Sequence, residues 1–203
     1  LKNIYRGLTP DQGTIELDKE NLLTMPYKKS ALKMAVVGQE NEVPFDFLVE
    51  EIVAMGRSPH KKLFDVDNAH DKEIVHHALE HMGMAHMAKR SYLNLSGGEK
   101  QRVLIARAIA QESDFLILDE HTAALDPRTA EIVMKLTDQI VREKKMTTVM
   151  VTHNLRYALE YGDRILMMHQ GKIVLDKVGE EKNQLNTDEI MGIFNRISVE
   201  CGN

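Results

Sequence analysis

The sequence has little of several features that mark large classes of protein. Its single cysteine, Cys201, cannot form an internal disulfide and is typical of a reducing compartment. Basic charge is not in excess, because 26 Lys and Arg stand against 31 Asp and Glu, so nucleic acid is not an expected partner. No apolar run approaches the roughly 18 residues that a membrane helix needs, and residues 1–13 lack the apolar core of a secretory signal. We therefore expect a soluble, intracellular chain unless a partner holds it at a membrane.

The remaining composition is that of a folded domain. Apolar residues make up 43% of the 203 positions, which is enough to bury a core in one domain, or in one domain with an insertion. Three compact apolar runs predict buried strands: ALKMAVV at 31–37, FLILD at 115–119 and TTVMVT at 147–152. The later segment RILMMHQGKIVLD predicts a hairpin that turns at Gln170-Gly171.

Helical spacing of apolar residues dominates from Phe47 to about Lys89 and predicts an inserted all-helical block. Further helices are predicted directly after Ser96, over 128–144 and from Asn154 to Tyr161. Strands that alternate with helices are typical of an α/β core of the doubly wound kind. The acidic run from Gly179 to Lys182 predicts a solvated turn.

The strand candidate at 115–119 leads into two adjacent carboxylates, Asp119 and Glu120. At the carboxyl edge of a parallel sheet, where such sheets place ligand sites, these side chains would emerge together. Neighbouring carboxylates are costly to bury unless a cation or a proton shares them. A magnesium ion near Asp119 and a water near Glu120 would meet this need and make Glu120 a general base. The alternative for an isolated motif is that Asp119 only caps the next helix.

The segment LSGGEKQ at 95–101 predicts a turn that opens a helix. Ser96, Gly97 and Gly98 present a hydroxyl and unhindered backbone N–H groups at the positive end of the helix dipole, which suits phosphate oxygens. Ser96 followed three residues later by Glu99 is equally the pattern of a capping box, which needs no ligand.

His153 directly follows the third strand candidate, where it can hydrogen-bond a terminal phosphate, although a histidine there is more often a solvated loop residue. Taken together, Gln39, LSGGEKQR, FLILDEHTAALDP and VTHN occur in an order and spacing that resembles the nucleotide-binding subunit of ATP-binding-cassette (ABC) transporters. The resemblance covers the chain from Leu1 to about Arg196, and LSGGEKQR is its most specific motif.

The resemblance implies a P-loop NTPase-like α/β fold, with a mostly parallel sheet flanked by helices and an inserted all-helical subdomain. It assigns 1–38 and 96–203 to a RecA-like ATPase core. Residues 39–95 become the helical subdomain, with the glutamine loop at its start and the signature motif at its end. ATP and Mg²⁺ are the implied cofactors.

The resemblance also carries catalytic roles onto this sequence. Gln39 would reach the magnesium ion and the attacking water, and Asp119 would hold magnesium through water. Glu120 corresponds to the catalytic base, and His153 to the switch histidine that contacts the γ-phosphate.

A second set of residues would act across a dimer interface. In this family, the signature motif of one copy binds the nucleotide held by the other, so ATP is sandwiched only when two copies meet head to tail. The residues implied in this binding are Ser96, Gly97, Gly98, Glu99 and Asp126.

Two departures from the family pattern bear on activity. Most members have proline at the position of His121, so the histidine frees a backbone N–H and adds a titratable ring, and we expect an altered pH response rather than lost activity. The sequence also lacks G-x-x-x-x-G-K-[ST], and in the family LKNIYRGLTPDQG directly follows that phosphate loop. We therefore expect that the amino-terminal strands and the phosphate loop are missing, and that the chain as given binds ATP weakly or not at all.

Two segments point to different cargoes. FLVEEIVAMGRSPHKKLFDVD, within the helical block, resembles importers of ferric siderophores, haem and cobalamin. The stretch from His121 to Asp176 resembles ATPases of importers linked to aromatic amino acids. The first receives more weight, because the helical block contacts the membrane subunits in this family, and a mosaic chain would show the same division.

The implied partners are a second copy in a homodimer, transmembrane permease subunits and, indirectly, an extracytoplasmic substrate-binding protein. The implied location is the cytoplasmic face of the cell membrane, reached through the permease. One alternative is a non-transport member such as a DNA-repair or translation factor, although those usually carry long insertions that this sequence lacks. Another is a truncated, catalytically inactive module that still docks on a permease.

The histidines of the helical block raise the question of a metal site, since His77 and His81 are one helical turn apart. No carboxylate or cysteine completes an evident tetrahedral set. Solvent-facing histidines are therefore the favoured interpretation for positions 70, 76, 77, 81 and 86.

Overall fold

The computed structural model describes residues 1–38, 45–62, 65–66 and 68–200, and these form two compact units, Leu1–Val151 and Thr152–Asn203. The first unit contains β1 (Glu16–Leu17), β2 (Glu20–Asn21), α1 (Tyr27–Lys33), β3 (Met34–Val37), α2 (Val49–Ala54), α3 (Ala69–His81), α4 (Gly97–Ala110), β4 (Phe115–Asp119), α5 (Pro127–Glu143) and β5 (Thr147–Val151). It also contains three 3₁₀ turns at Met55–His60, Ala85–Met87 and Tyr92–Asn94. The second unit contains α6 (Leu155–Glu160), β6 (Arg164–His169), β7 (Lys172–Val178), α7 (Glu180–Asn183) and α8 (Thr187–Glu200).

The parallel sheet of the first unit has the order β3-β4-β5. Strand β4 occupies the predicted residues, and its central side chains Leu116, Ile117 and Leu118 are at most 2% exposed, which explains the unbroken apolar run. The pairing places Asp119 opposite Val151 at the carboxyl end of the sheet. A parallel sheet with helices in the same unit confirms the α/β class.

The outer strands differ from the predictions in two ways. The segment predicted as a strand over 31–37 begins as helix α1, which starts after Pro26, and only Met34–Val37 is extended. Proline favours a helix start, whereas the β-branched Val36 and Val37 favour the strand. Strand β5 is also less buried than expected, with Val149 38% exposed.

The segment predicted as helical forms α2, α3 and 3₁₀ turns, and these pack with α4 around one apolar core. Ile52, Val53 and Leu79 are at most 1% exposed in this core. Met82 and Met84 are completely buried there, as expected for methionines that serve packing. At Gly56 the 3₁₀ turn approaches α4 so closely that a Cβ would lie 2.2 Å from the carbonyl oxygen of Arg107, so a larger residue does not fit without movement of backbone.

A buried arginine joins the helical region to the end of α4. The Nε of Arg57 donates to Asp71 Oδ1 at 3.0 Å, and its Nη1 donates to the carbonyl oxygen of Ala110 at 2.8 Å and to Glu112 Oε2 at 2.7 Å. Desolvation of Asp71 opposes its ionisation, but the hydrogen bond and charge of Arg57 outweigh it and lower the pKa of Asp71. Asn68 caps α3, because its Oδ1 accepts from the Asp71 N–H at 2.9 Å, and Asp71 completes the capping box by accepting from the Asn68 N–H at 3.4 Å.

The second unit contains the predicted hairpin and a buried lysine that was not predicted. Strands β6 and β7 are antiparallel, and both Gln170 and Gly171 have positive φ at the turn between them, of 46° and 74°. The run predicted as a solvated turn forms α7 instead, and Lys182 within it is only 2% exposed. Its Nζ donates to the carbonyl oxygens of Leu159 and Tyr161, which replaces the lost hydration.

Among the helices in the described ranges, none has both the length and the apolar character to cross a bilayer.

Candidate functional site

The predicted acidic pair lies where β4 ends. Asp119 is half-buried, and its Oδ2 accepts a hydrogen bond from the Tyr5 hydroxyl at 3.4 Å. Burial, followed by the charge of Asp119, raises the pKa of Tyr5. Glu120 has a φ of 49°, in the left-handed region that residues with a Cβ rarely adopt. Its N–H donates to the carbonyl oxygen of Val151 at 3.1 Å, so pairing to β5 holds this strained backbone.

Ser96 is the N-cap of α4, as the sequence predicts. Its Oγ accepts from the Glu99 N–H at 3.4 Å. In return, Glu99 Oε2 accepts from the Ser96 N–H at 2.8 Å and from the Ser96 hydroxyl at 2.7 Å. These hydrogen bonds to Ser96 lower the pKa of Glu99, and they hold its carboxylate on the cap. The capping box is therefore real, and it fixes the serine hydroxyl at the positive end of a 14-residue helix.

The two glycines after Ser96 have different surroundings. A Cβ on Gly97 would be 3.6 Å from Leu125 Cδ2, an ordinary contact, and Gly97 is exposed. A Cβ on Gly98 would be 2.1 Å from Thr129 Cγ2. Gly98 thus allows α4 to approach α5 closely. The family resemblance implies nucleotide binding for both glycines, but it does not predict this packing role of Gly98, for which the glycine pair is the local signal.

Asp126 caps α5 and lies three residues before Thr129, the residue on which Gly98 packs. Its Oδ1 accepts from the Thr129 N–H at 3.0 Å, and hydrogen bonds from Thr129 lower the pKa of Asp126. The helix that follows β4 is therefore capped by Asp126 and not by Asp119, which removes the structural alternative for Asp119. The structure brings the beginnings of α4 and α5 together through Gly98 and Thr129.

His121 is enclosed directly after Glu120. The residue is 4% exposed, and its Nε2 is buried without a hydrogen-bond partner in the described parts of the chain. Burial lowers the pKa of His121 from 6.5 to about 4, because the charged imidazolium loses hydration. The histidine that replaces the usual proline is thus a neutral interior group at physiological pH.

This burial predicts acid sensitivity of the folded state. Above pH 6.5 His121 is neutral in both the folded and the unfolded chain; as the pH falls from 6.5 towards 4, only the unfolded chain takes up the proton. Stability is therefore lost as the pH falls through this window, by about 3 kcal/mol at its lower end. Urea unfolding of the wild type and of His121→Gln between pH 4 and pH 8 measures the loss.

The difference in unfolding free energy between the wild type and His121→Gln isolates this histidine from the carboxylates, which both proteins share. We expect this difference to be constant above pH 7. Below pH 6, the unfolding free energy of the wild type is expected to fall more steeply than that of His121→Gln. Parallel curves over the whole range would contradict the prediction.

Gln39 and His153 were also predicted for this site. Gln39 lies outside the described residues. His153 belongs to the second unit, where it is exposed and directly precedes the Asn154 N-cap of α6. The Asn154 N–H donates to Thr152 Oγ1 at 3.1 Å, so the chain around His153 has a defined local turn.

The carboxylates at the end of β4 suit magnesium in their chemistry. Mg²⁺ prefers oxygen ligands and is commonly bound through one or two carboxylates together with substrate phosphates and water. Asp119 and Glu120 provide two such side chains at a sheet edge. Within the described ranges no group of three or more His, Cys, Asp or Glu is arranged to hold a metal without such additional ligands.

In α3, His70, His76 and His77 are exposed, as predicted, whereas His81 is half-buried, with its side chain 32% exposed. The side chains of His76 and His77 are 61% and 59% exposed, and both lie near Glu80. The hydrogen bond from His77 lowers the pKa of Glu80. These contacts are those of an exposed helix surface with i,i+3 and i,i+4 pairs.

Comparison with known proteins gives a consistent result. The family model described as ABC transporter matches residues 1–123. A tyrosine transport ATP-binding protein of Clostridioides difficile is 36% identical over 204 aligned positions, covering 96% of this chain and 80% of that protein. The ferric enterobactin transport ATP-binding protein FepC of Escherichia coli is 35% identical over 181 positions, covering 89% and 67%. The dimeric post-hydrolysis structure of the ATP-binding cassette MJ0796, bound to ADP and phosphate, aligns with a TM-score of 0.73 at 26% identity, covering 87% and 78%.

Proposed function

Because the chain belongs to the ABC transporter family, we propose that it forms the ATP-hydrolysing part of an ABC importer. The observation that carries the proposal is the arrangement of the first unit. A capped Ser-Gly-Gly turn opens α4, its Gly98 packs on the start of α5, and the acidic pair Asp119-Glu120 ends the central strand. The similarity to a dimeric ATP-binding cassette bound to ADP and phosphate supports ATP as the substrate.

In the proposed reaction, Glu120 acts as the general base. Its carboxylate accepts a proton from the water that attacks the γ-phosphorus of ATP, and the bond between that phosphorus and the β–γ bridging oxygen breaks to give ADP and phosphate. Asp119 and Gln39 would hold Mg²⁺, which neutralises charge on the phosphates when bound. His153 would donate a hydrogen bond to the γ-phosphate. The hydrogen bond from Glu120 N–H to Val151 keeps the base at the end of the sheet.

We propose a head-to-tail dimer as the active assembly. The Ser96 hydroxyl and the N–H groups at the start of α4 would contact the γ-phosphate of ATP held by the second copy. Gly97 is exposed and available for this contact, whereas Gly98 has the internal role described above. Glu99 would act through Ser96, since its carboxylate is bound to the serine. Asp126, exposed at the start of α5, would face the partner copy.

The proposed assembly includes transmembrane permease subunits, with 39–95 as the helical subdomain that contacts them and 1–38 with 96–203 as the ATPase core. An extracytoplasmic substrate-binding protein would act indirectly through the permease. This places the chain on the cytoplasmic face of a membrane. For cargo, we propose the ferric siderophore, haem and cobalamin class, which the similarity to the ferric enterobactin protein supports. The similarity to the tyrosine transport protein supports amino-acid import as the second candidate.

The motif G-x-x-x-x-G-K-[ST] does not occur among the 203 residues, so we predict that these residues alone bind ATP weakly. Fusion of a segment with that loop ahead of Leu1 is expected to restore ATP binding and turnover, because the backbone amides and lysine of the loop cradle the β- and γ-phosphates. Phosphate release and ATP binding are measured for the 203-residue chain and for the fusion.

The matched control for the fusion carries Ala in place of the loop lysine. Turnover in the fusion, with none in this control, is the expected result. A fusion that folds and binds ATP but hydrolyses none would contradict the ATPase proposal and favour the inactive docking module. Copurification of the fusion with a membrane permease tests the importer assignment separately.

A further inference from the structure

Two buried side-chain nitrogens have no hydrogen-bond partner among the described residues, and they are Gln101 Nε2 and His121 Nε2. Native interiors pair such atoms with protein groups or with ordered water, because an unpaired buried polar group is destabilising. His121 is 4% exposed, so its ring cannot reach bulk solvent without movement of the fold. Both residues are close in sequence to the proposed site. Gln101 lies in α4, three residues after Gly98, and His121 directly follows Glu120.

The geometry of α4 places Gln101 on the face that carries Gly97 and Gly98, which lie beside Leu125 and Thr129. Successive residues of an α-helix are rotated by about 100° around its axis. Viewed down the axis of α4, Gln101 therefore points between the directions of Gly97 and Gly98, and it lies one turn further along the helix. Helical side chains lean towards the N-terminus, so that of Gln101 extends over the turn formed by these two glycines. A Cβ on Gly97 would lie 3.6 Å from Leu125 Cδ2, and a Cβ on Gly98 would lie 2.1 Å from Thr129 Cγ2.

The chain around His121 borders the same interior. Leu118 belongs to the apolar core that α4 helps to form, and Leu125 packs against that core. Between them the chain is compact, because the Ala123 N–H donates to the Glu120 carbonyl oxygen at 3.0 Å and the Leu125 N–H donates to that of Thr122 at 3.2 Å. His121 is therefore enclosed within a tight turn whose later end, Leu125, lies beside Gly97 of α4.

We propose that Gln101 and His121 are joined through one buried water molecule, and that this link fixes the segment carrying Glu120 against α4. A buried water makes two to four hydrogen bonds and typically bridges polar groups that lack other partners. The Gln101 amide donates to the water oxygen, and the imidazole Nε2 of His121 is its second partner. Through this link, both residues position Glu120. That positioning role rests on the proposed ATPase function, whereas the existence of the link is independent of it.

A double-mutant cycle in the 203-residue protein tests the link. Gln101→Leu and His121→Phe each remove the polar atom while keeping bulk, and urea unfolding gives the unfolding equilibrium constant of each single variant and of the double variant. If one water joins the two side chains, the factor for the double variant is more than twofold smaller than the product of the two single factors. If the factor for the double variant equals the product of the two single factors within twofold, a result called the product rule below, the proposal is overturned.

The matched control replaces Gln111, the C-cap of α4, whose Nε2 already donates to the Met34 carbonyl oxygen at 2.8 Å. Gln111→Leu combined with His121→Phe is expected to obey the product rule. In ¹⁵N spectra, the ring-nitrogen shifts of His121 are expected to move in Gln101→Leu and to stay unchanged in Gln111→Leu. Unchanged shifts in both variants would count against the link.

A measurement on the wild type needs no variant to fold. Magnetisation transfer from a long-lived water to the His121 ring protons is the expected result, and its absence would overturn the proposal. None of these measurements requires nucleotide, so failure of the link and failure of the ATPase function are distinguished. A protein with the link but without turnover refutes only the positioning role.

Discussion

Replacement of Glu120 by Gln lowers kcat for ATP hydrolysis by at least about 100-fold in the fusion that carries a phosphate loop, because a positioned general base contributes about 10²- to 10⁴-fold. Glutamine has nearly the same shape and retains the backbone N–H that donates to Val151. The affinity for ATP is therefore expected to change little. Steady-state phosphate release and equilibrium ATP binding separate the two quantities.

Glu131→Gln is the matched control for this substitution. Glu131 lies on α5, outside the proposed catalytic set, and pairs at i,i+4 with Lys135 at 3.1 Å, whose side chain is 67% exposed, so the same chemical change there is expected to alter kcat by less than about twofold. Slow hydrolysis also predicts that Glu120→Gln accumulates the ATP-bound dimer, which light scattering measures. Glu120→Gln with turnover equal to that of Glu131→Gln would remove Glu120 from the catalytic role.

Replacement of Arg57 by Met destabilises the fold by about 3–5 kcal/mol, because it leaves a buried carboxylate without its cation. The Asp71 side chain is 6% exposed and Arg57 is its ion-pair partner. The substitution also removes the donor to the Ala110 carbonyl oxygen at the end of α4. Urea unfolding followed by circular dichroism measures the loss. Partial recovery is expected in Arg57→Met with Asp71→Asn, since Asn is neutral and its side-chain oxygen is still able to accept from the N–H of the Asn68 cap.

The same substitution at an exposed ion pair provides the control. Arg164 makes two hydrogen bonds to Asp176, at 2.8 and 2.5 Å, but its side chain is 58% exposed. Arg164→Met is expected to cost less than about 1 kcal/mol, because water replaces the lost contacts. Similar losses at the two positions would show that burial of Arg57 does not determine its contribution.

The parts of the fold that depend on neighbouring residues could be predicted from the sequence. The Ser96 cap needs only Glu99 three residues later, and the turn at Gln170-Gly171 needs only residues that accept positive φ. Strand β4 was predictable because a strand covered on both faces is apolar at every position. For the same reason, the position of Asp119 at a sheet edge followed from sequence.

Contacts between distant segments could not be predicted. Arg57 and Asp71 are both charged and read as surface residues, yet they form a buried pair through a register that only the packed helices define. Lys182 sits in an acidic run but is covered because two carbonyl oxygens accept from its Nζ. The enclosure of His121 likewise depends on how the turn after β4 packs, which no local pattern records.

The left-handed backbone at Glu120 sets the proposed chemistry of this side chain against the stability of the fold. Glycine or asparagine would adopt a φ of 49° with less strain than glutamate, by about 1–2 kcal/mol for glycine, so selection for robustness alone would favour either of them. Under the proposed function, a substitution that relieves this strain also removes the general base. Screens for thermally more stable variants are therefore expected to recover changes at position 120 that lower ATP turnover, and such screens need a functional filter.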